Sequence, residues 1–340
     1  MKKKRATSFD VAQLAGVSRT TVSFVLNNVT GVNLSDATRK RVLEAAEQLN
    51  YHPNASGRKL VSGKSYTIGL VLQQSPDQIF ADALLIRVLL GVEQAAAQQG
   101  YHVLLKPMDK KHSSDYTSLV QENNVDGIIL SGPLEDDQNI IKLHKEGYPV
   151  VLMGQMPGTD IPFVDINAQD GAVTAVEHLI ELGHTRIAMI TNASLEYVSA
   201  QQRRAGYKEA LEKHGILYDE SLVREGSYTP ASGHKAMLDL LKHNPSITAV
   251  FVASDVVAMG ALQAIRTKGL SIPDDIAMVG FDDIPLAAYY TPALTTIHLP
   301  AFGLGWAVGE RLVNIIQGET LELSGTFLES RLVIRESSKK

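Results

Sequence analysis

The sequence predicts an all-α headpiece at the N-terminus, followed by an α/β core of two parallel-sheet lobes. Three observations predict it. Two capped helical patterns flank Gly16 within residues 7–27. From Tyr66 onward, apolar strand-like runs alternate with helical patterns, and the alternation starts afresh near residue 169. The charge is divided: residues 1–64 hold eleven Lys/Arg against four Asp/Glu, a net of +7, so with −5 overall the remaining residues carry −12.

The elements follow in order. Thr7 and Asp10 have capping-pair spacing, so a helix starts at Phe9 or just before it. Val11, Leu14 and Ala15 make one apolar stripe. Gly16 supplies a turn that needs positive φ. Ser18 caps the next helix, whose inner side is Val22, Val25 and Leu26 and whose outer side shows Arg19, Thr20, Ser23 and Asn27. Such a donor-rich face is what the second element of a helix-turn-helix lays in the major groove of DNA. A third helix runs from Ser35, its cap, to Leu49, with Ala37, Val42, Ala45, Ala46 and Leu49 inward, and Pro53 ends it. Residues 54–64 are small, polar and basic, and read as a linker with weak helical potential. A basic head on an acidic body is the charge footprint of a nucleic-acid reader.

In the core, strands at Thr67–Leu72, His102–Lys106, Gly127–Leu130 and Val150–Met153 alternate with helices near 82–99, 113–123 and 137–146. The second series has helices at 169–182, 199–214, 231–243 and 255–268, with strands at Arg186–Thr191, Leu222–Glu225, Ala249–Ala253 and Ile276–Phe281. Strands this apolar are buried on both faces, as in a parallel sheet. Thr295–Ile297, a helix at 302–317 and a final strand near 327–334 are expected to cross back between lobes as a multi-strand hinge. The expected division is a headpiece at 1–52, a linker at 53–64 and a core at 65–340. One lobe takes about 65–164 plus 298–326, and the other about 165–297 plus 327–340. A ligand cleft belongs at the carboxyl ends of the strands.

Other classes are excluded by what the chain lacks. There is no cysteine, hence no disulfide or thiolate metal site. Lys2–Arg5 resembles the start of a signal peptide, but no apolar core of about 7–15 residues follows, and no run spans a membrane. No phosphate-binding loop of the full Gly-x-x-x-x-Gly-Lys-Ser pattern, metal-ligand cluster or nucleophile elbow is present. The expectation is a cytoplasmic protein that is not an enzyme and uses neither cofactor nor metal.

A family resemblance completes the reading. Asp10-Val-Ala, Ala15-Gly-Val-Ser, Thr21-Val-Ser and Val25-Leu-Asn-Asn28 resemble the LacI/GalR family of bacterial repressors. So do Arg39…Val42…Ala45-Ala…Leu49-Asn-Tyr51-His-Pro-Asn54, Glu177–His184, Gly280-Phe-Asp-Asp283 and Thr291–Ile297. The likeness runs from Thr7 to Arg335. It implies a helix-turn-helix headpiece, a hinge helix and a periplasmic-binding-protein-like core.

By that resemblance, Arg19 and Thr20 read bases, and arginine pairs best with guanine. Phe24 stands where many members have Arg or His; it either touches a thymine methyl or covers the DNA backbone. Ser18, Thr21, Ser23 and Asn27 suit phosphate contacts, with pure capping the alternative for Ser18 and Thr21. Thr7, Tyr51 and Asn54 join the DNA-facing set. Gly57-Arg58-Lys59-Leu60 is similar to the family's hinge helix, in which a leucine wedges into the minor groove; Gly57 costs about 1 kcal/mol of helix propensity there. The alternative for Leu60 is packing on the first core strand.

In the core, Arg203 matches the arginine that grips effector hydroxyls, and Asp282 the acid that accepts from them. Tyr228 matches a position often aromatic, and Phe80 resembles the aromatic after the first strand, although Asp77-Gln-Ile-Phe80 departs from the usual Asn-Pro-Phe-Phe. For both rings the alternative is core packing. Ser254 replaces a ligand-contacting asparagine, while Asp255 and Asp283 read as helix caps. The resemblance implies a repressor of carbohydrate-utilisation genes that binds a pseudo-palindromic operator on double-stranded DNA as a homodimer. A small molecule, a sugar by the Arg203–Asp282 pair, switches it. A corepressed or nucleoside- or purine-responsive regulator is the alternative, and a solute-binding protein a more distant one.

Overall fold

The structure, a computed structural model, describes residues 6–26, 32–51, 63–108, 116–121, 124–319 and 325–339. It divides into two compact units, Met1–Tyr66 and Thr67–Lys340.

The first unit holds helices α1 (Ser8–Ala15), α2 (Arg19–Leu26) and α3 (Asp36–Gln48). Thr7 and Asp10 close a reciprocal capping box at the start of α1, and Gly16 ends it in the left-handed region at φ 65°. Ser18 Oγ accepts the Thr21 amide at 3.1 Å, and Ser35 caps α3 through the Thr38 amide. The core is Val11, Ala12 and Ala15 against Val22, Val25, Val42, Ala45 and Ala46. Leu14, expected inside, is 48% exposed. It lies on the flank of Val11 opposite Ala12, and the small Ala12 turns inward instead, where three short helices meet. Ala37 is also exposed. The expected hinge helix lies outside the described residues.

The second unit contains two six-stranded sheets. The first has the order β11-β5-β4-β3-β1-β2. Its strands are β1 (Thr67–Leu72), β2 (His102–Pro107), β3 (Gly127–Ser131), β4 (Val150–Met153), β5 (Phe163–Ile166) and β11 (Gly325–Leu328). The second has the order β12-β10-β9-β8-β6-β7. It is built from β6 (Ile187–Ile190), β7 (Val223–Arg224), β8 (Ala249–Val252), β9 (Ala277–Asp282), β10 (Thr295–His298) and β12 (Arg331–Val333). Every pairing is parallel except β10 with β12. The first lobe carries α4 (Pro76–Ala81), α5 (Ala83–Gln98), α6 (Tyr116–Gln121), α7 (Gln138–Lys145) and α12 (Ala301–Gln317). The second carries α8 (Ala168–Glu181), α9 (Val198–Lys213), α10 (Pro230–His243) and α11 (Asp255–Thr267).

Strands β3, β4, β6, β8 and β9 are almost wholly buried, because helices cover both sheet faces. In the second lobe, helices α10 and α11 pack with almost no gap. A Cβ on Gly233 would lie 1.9 Å from the Val257 carbonyl oxygen, and one on Gly260 1.7 Å from that of Pro230.

Two elements differ from expectation. Strand β5 was not anticipated, and the single strand expected near 327–334 is two strands in different sheets. The chain therefore crosses between lobes three times, each time briefly: through Asn167 from β5 to α8, through Leu299–Pro300 from β10 to α12, and through Glu329–Ser330 from β11 to β12.

Candidate functional site

The first candidate surface is the outer side of α2. Ser18, Arg19 and Thr20 are exposed; Thr21, Ser23 and Phe24 are half-buried. Ser18 and Thr21 hydroxyls also bond each other at 2.9 Å, so Ser18 caps the helix with Thr21 bonded to the cap, and Arg19 and Thr20 are its exposed side chains. Thr7 is engaged with Asp10 at 2.7 Å. Tyr51 packs against the headpiece core, with its amide on the Ala46 carbonyl. Asn27, Asn54, Gly57 and Leu60 lie outside the described residues.

The second candidate lies between the lobes of the core, at the carboxyl ends of the strands. A cavity of about 110 Å³ is lined from both sides. The first lobe contributes Gln74 beyond β1, Ser131–Pro133 at the end of β3, Gly154–Gln155 beyond β4 and Asp165 in β5, together with Asp82, Leu84 and Leu85. The second contributes Asn192, Tyr197, Ser199, Gln202, Arg203, Tyr228 and Asp282. Parallel β-strands direct their carboxyl ends to such a cleft, which is why residues distant in sequence converge there.

Arg203 and Asp282 form its floor. Both are nearly fully buried, with Nη2 of Arg203 3.4 Å from Oδ1 of Asp282. Nη1 donates to the Ala253 carbonyl at 2.5 Å, and the guanidinium lies 4.0 Å over the Phe281 ring. Asp282 has φ 115°, a conformation disfavoured for a non-glycine residue. Burial pushes its pKa up to about 7; Arg203 opposes the rise and Asp82 adds to it. Burial likewise pushes Asp82 and Asp165 to about 6 each, against hydrogen bonds from Leu84 and Leu85 to Asp82 and from Gln155 and Ile166 to Asp165. Two polar atoms buried at the site, Nε of Arg203 and Oδ1 of Asn192, have no protein partner. One is a donor and the other an acceptor, which suits hydroxyl groups.

The other expected residues divide. Tyr228 lines the cavity, its hydroxyl 3.3 Å from Asn192 Nδ2 and its ring edge-on to Tyr197. Ser254 is buried behind Asp282 and hydrogen-bonds its carboxylate, so it supports the site without lining it. Phe80 is not part of the lining and is 78% exposed. The reason is an extra helix: Ser75 and Gln78 cap α4, Asp82 starts α5 anew, and Leu84 and Leu85 take the wall position. Asp255 is no cap. Its carboxylate accepts from the Ile284 amide at 3.0 Å and Thr296 Oγ1 at 2.7 Å, tying β10 to the loop after β9. Asp283 instead pairs with His298 at 2.9 Å and Arg335 at 2.6 Å.

Sequence reasoning missed Asp82, Asp165 and Asn192. The signal for Asn192 was available, since it follows the buried run Ile187–Ile190. Asp165 sits in a four-residue strand too short to show periodicity, and Asp82 stands at the start of the helix expected near 82–99, where an aspartate reads as a cap.

Residues 9–54 match the model of the bacterial regulatory proteins of the lacI family, and residues 176–338 match the periplasmic binding protein-like domain. The HTH-type transcriptional regulator CelR of Thermobifida fusca is 36% identical over 343 residues, 99% of either chain. The chain belongs to the LacI family. The catabolite control protein A of Priestia megaterium is 33% identical over 336 residues, covering 98% of this chain and 99% of that protein. Among solved structures, the lac repressor dimer bound to operator and the anti-inducer ONPF superposes with TM-score 0.86 at 31% identity, covering 98% of this chain and 99% of that one. A CelR–cellobiose complex gives 0.76 at 35% identity, covering 98% and 100%. As a LacI-family member the protein is a DNA-binding transcriptional regulator, and its relatives are regulators, not enzymes. Among the described residues, no helix is long and apolar enough to cross a membrane.

Proposed function

We propose that the protein represses carbohydrate-utilisation genes in the cytoplasm, binding a pseudo-palindromic operator as a homodimer and responding to a sugar held between its core lobes. The observation that carries this reading is the buried Arg203–Asp282 pair with an unpartnered donor and acceptor beside it, at the mouth of two facing sheets. Arg203 donates to, and Asp282 accepts from, sugar hydroxyls, while Tyr228 offers a ring edge or face to the apolar side of the pyranose. Arg19 and Thr20 read base edges, and Ser18, Thr21 and Ser23 meet phosphates. Thr7, Phe24, Asn27, Tyr51, Asn54, Gly57 and Leu60 complete the DNA-facing set.

Sugar binding shifts the population of lobe arrangements and with it the operator affinity. Changing the ratio of two arrangements from 1:99 to 99:1 takes about 5.5 kcal/mol of differential affinity, within reach of several hydroxyl contacts. A nucleobase effector is less well served. The cavity's two aromatic residues, Tyr197 and Tyr228, stand edge to face at 5.8 Å and cannot sandwich a base.

Cellobiose is the first sugar to test, because a similar regulator carries it. Operator binding of the full-length protein, followed by fluorescence anisotropy, is expected to change at least tenfold with the effector. Asp282→Asn should keep operator binding and lose that response. If no sugar of a broad panel alters operator affinity, the effector reading fails.

A further inference from the structure

The effector reading leaves the charge of the ligand unspecified, and the following rests on that reading. Three carboxylates line the cavity, Asp82, Asp165 and Asp282, against a single guanidinium, Arg203. Arg203 is already committed to Asp282 and to the Ala253 carbonyl. Among the described residues no Lys, Arg or His lies at ion-pair distance from Asp82 or Asp165. Their partners are neutral donors: the Leu84 amide at 2.9 Å for Asp82, and the Ile166 amide at 2.8 Å with Gln155 Nε2 at 2.9 Å for Asp165. Both belong to the first lobe, facing the Arg203–Asp282 pair of the second. The other polar lining groups, among them Gln74, Asn192 and Gln202, are uncharged.

We propose that Asp82 and Asp165 set the charge selectivity of the cleft, admitting an uncharged or ammonium-bearing polyol and excluding phosphorylated and carboxylated sugars. An acidic cluster alone would not indicate a ligand. Here Asn192 Oδ1 and Arg203 Nε, both buried among the lining residues and unpartnered, supply the independent sign of one. A carboxylate accepts from sugar hydroxyls without needing a cation. An anionic substituent brought beside Asp82 and Asp165 meets like charge in a low-dielectric space whose one lining cation, Arg203, is already shared among three carboxylates. An ammonium group meets the opposite and is favoured.

The test is calorimetry on the full-length protein at pH 7.5 with glucose, cellobiose, glucosamine, glucose 6-phosphate and gluconate. Asp82→Asn, Asp165→Asn and the double variant are compared with the parent. Asparagine keeps an acceptor oxygen for the Leu84 amide or the Gln155 side chain, and thermal melts with operator binding verify folding. The parent is expected to bind a neutral or amino sugar, with both anions weaker by ~100-fold or more, the usual scale of like-charge discrimination. The double variant should bring the anions within about tenfold of glucose, and each single variant should move part of the way, which suffices if the double variant does not fold. Anions bound by the parent as tightly as glucose, or discrimination unchanged in the variants, overturns the selectivity while leaving the effector reading intact. Binding of none of the five ligands, nor of any sugar of the broad panel, overturns both.

Discussion

Arg203, on α9, and Asp282, the last residue of β9, are buried 3.4 Å apart and bring their charges together where a ligand would reach both. Removing one member of such a pair strands the other. Arg203→Ala is therefore expected to destabilise the protein by about 3–5 kcal/mol, whereas Asp282→Asn costs less, because it keeps the shape and leaves Arg203 facing the carboxylates of Asp82 and Asp165. Chemical denaturation of the two variants and the parent checks this; an Arg203→Ala midpoint equal to the parent's would mean that the pair contributes nothing to folding.

Tyr197 links the lobes on another side of the cavity. Its hydroxyl donates to the Gln73 carbonyl at 2.5 Å, and Leu134 forms a β-bridge with it. Gln201 to Glu135, at 2.9 Å, and Gln78 to the Ser227 carbonyl, at 3.1 Å, add further bonds between lobes. Tyr197→Phe removes one bond of about 1 kcal/mol and should shift the lobes toward a more open angle. Small-angle scattering of the isolated core region should show a larger radius of gyration for Tyr197→Phe, and the apparent effector Kd should rise several-fold.

In the headpiece, two neighbours make separable predictions. Ser18→Ala deletes the cap on the Thr21 amide and should cost about 1 kcal/mol of headpiece stability. Arg19→Ala removes an exposed side chain that caps nothing and should leave stability unchanged. It should weaken operator binding by about 1–3 kcal/mol and relax preference at one base pair, which binding to a randomised-site library reads out.

Acid dependence follows from the cleft. Asp82, Asp165 and Asp282 hold their protons more firmly in the folded protein than in the unfolded chain, because burial raises all three. Their contribution to stability is complete below the ordinary carboxylate pKa near 4. It is lost as pH rises through about 6 for Asp82 and Asp165 and about 7 for Asp282. Asp82→Asn and Asp165→Asn should thus raise Tm relative to the parent at pH 8 and have little effect at pH 4.5. Parallel Tm curves across that range would contradict the assignment.

The headpiece was legible because its signals are local: a capping box, an αL glycine and polar neighbours on one helical turn. The lobes were legible from buried strands separated by amphipathic helices. Arg203 and Asp282 were reached through motif resemblance, and the geometry brings them together. Phe80 was misjudged because the residues before the helix expected near 82–99 form a short helix of their own, Pro76–Ala81, on which Phe80 is left exposed. Asp165 was missed for a different reason. Strand β5 becomes a strand only by pairing with β4 and β11, the second of which lies some 160 residues away in the chain. Leu14 shows the same limit on a smaller scale, since the choice between Leu14 and Ala12 is made by how closely the neighbouring helices approach.

The three crossovers, one or two residues each, allow the lobes to turn about one another but not to draw apart. Lengthening any one of them by a glycine would add a second kind of freedom and blur the motion. With all three short, the space a ligand needs can be made only by rotation. The core thereby measures what it binds as an angle.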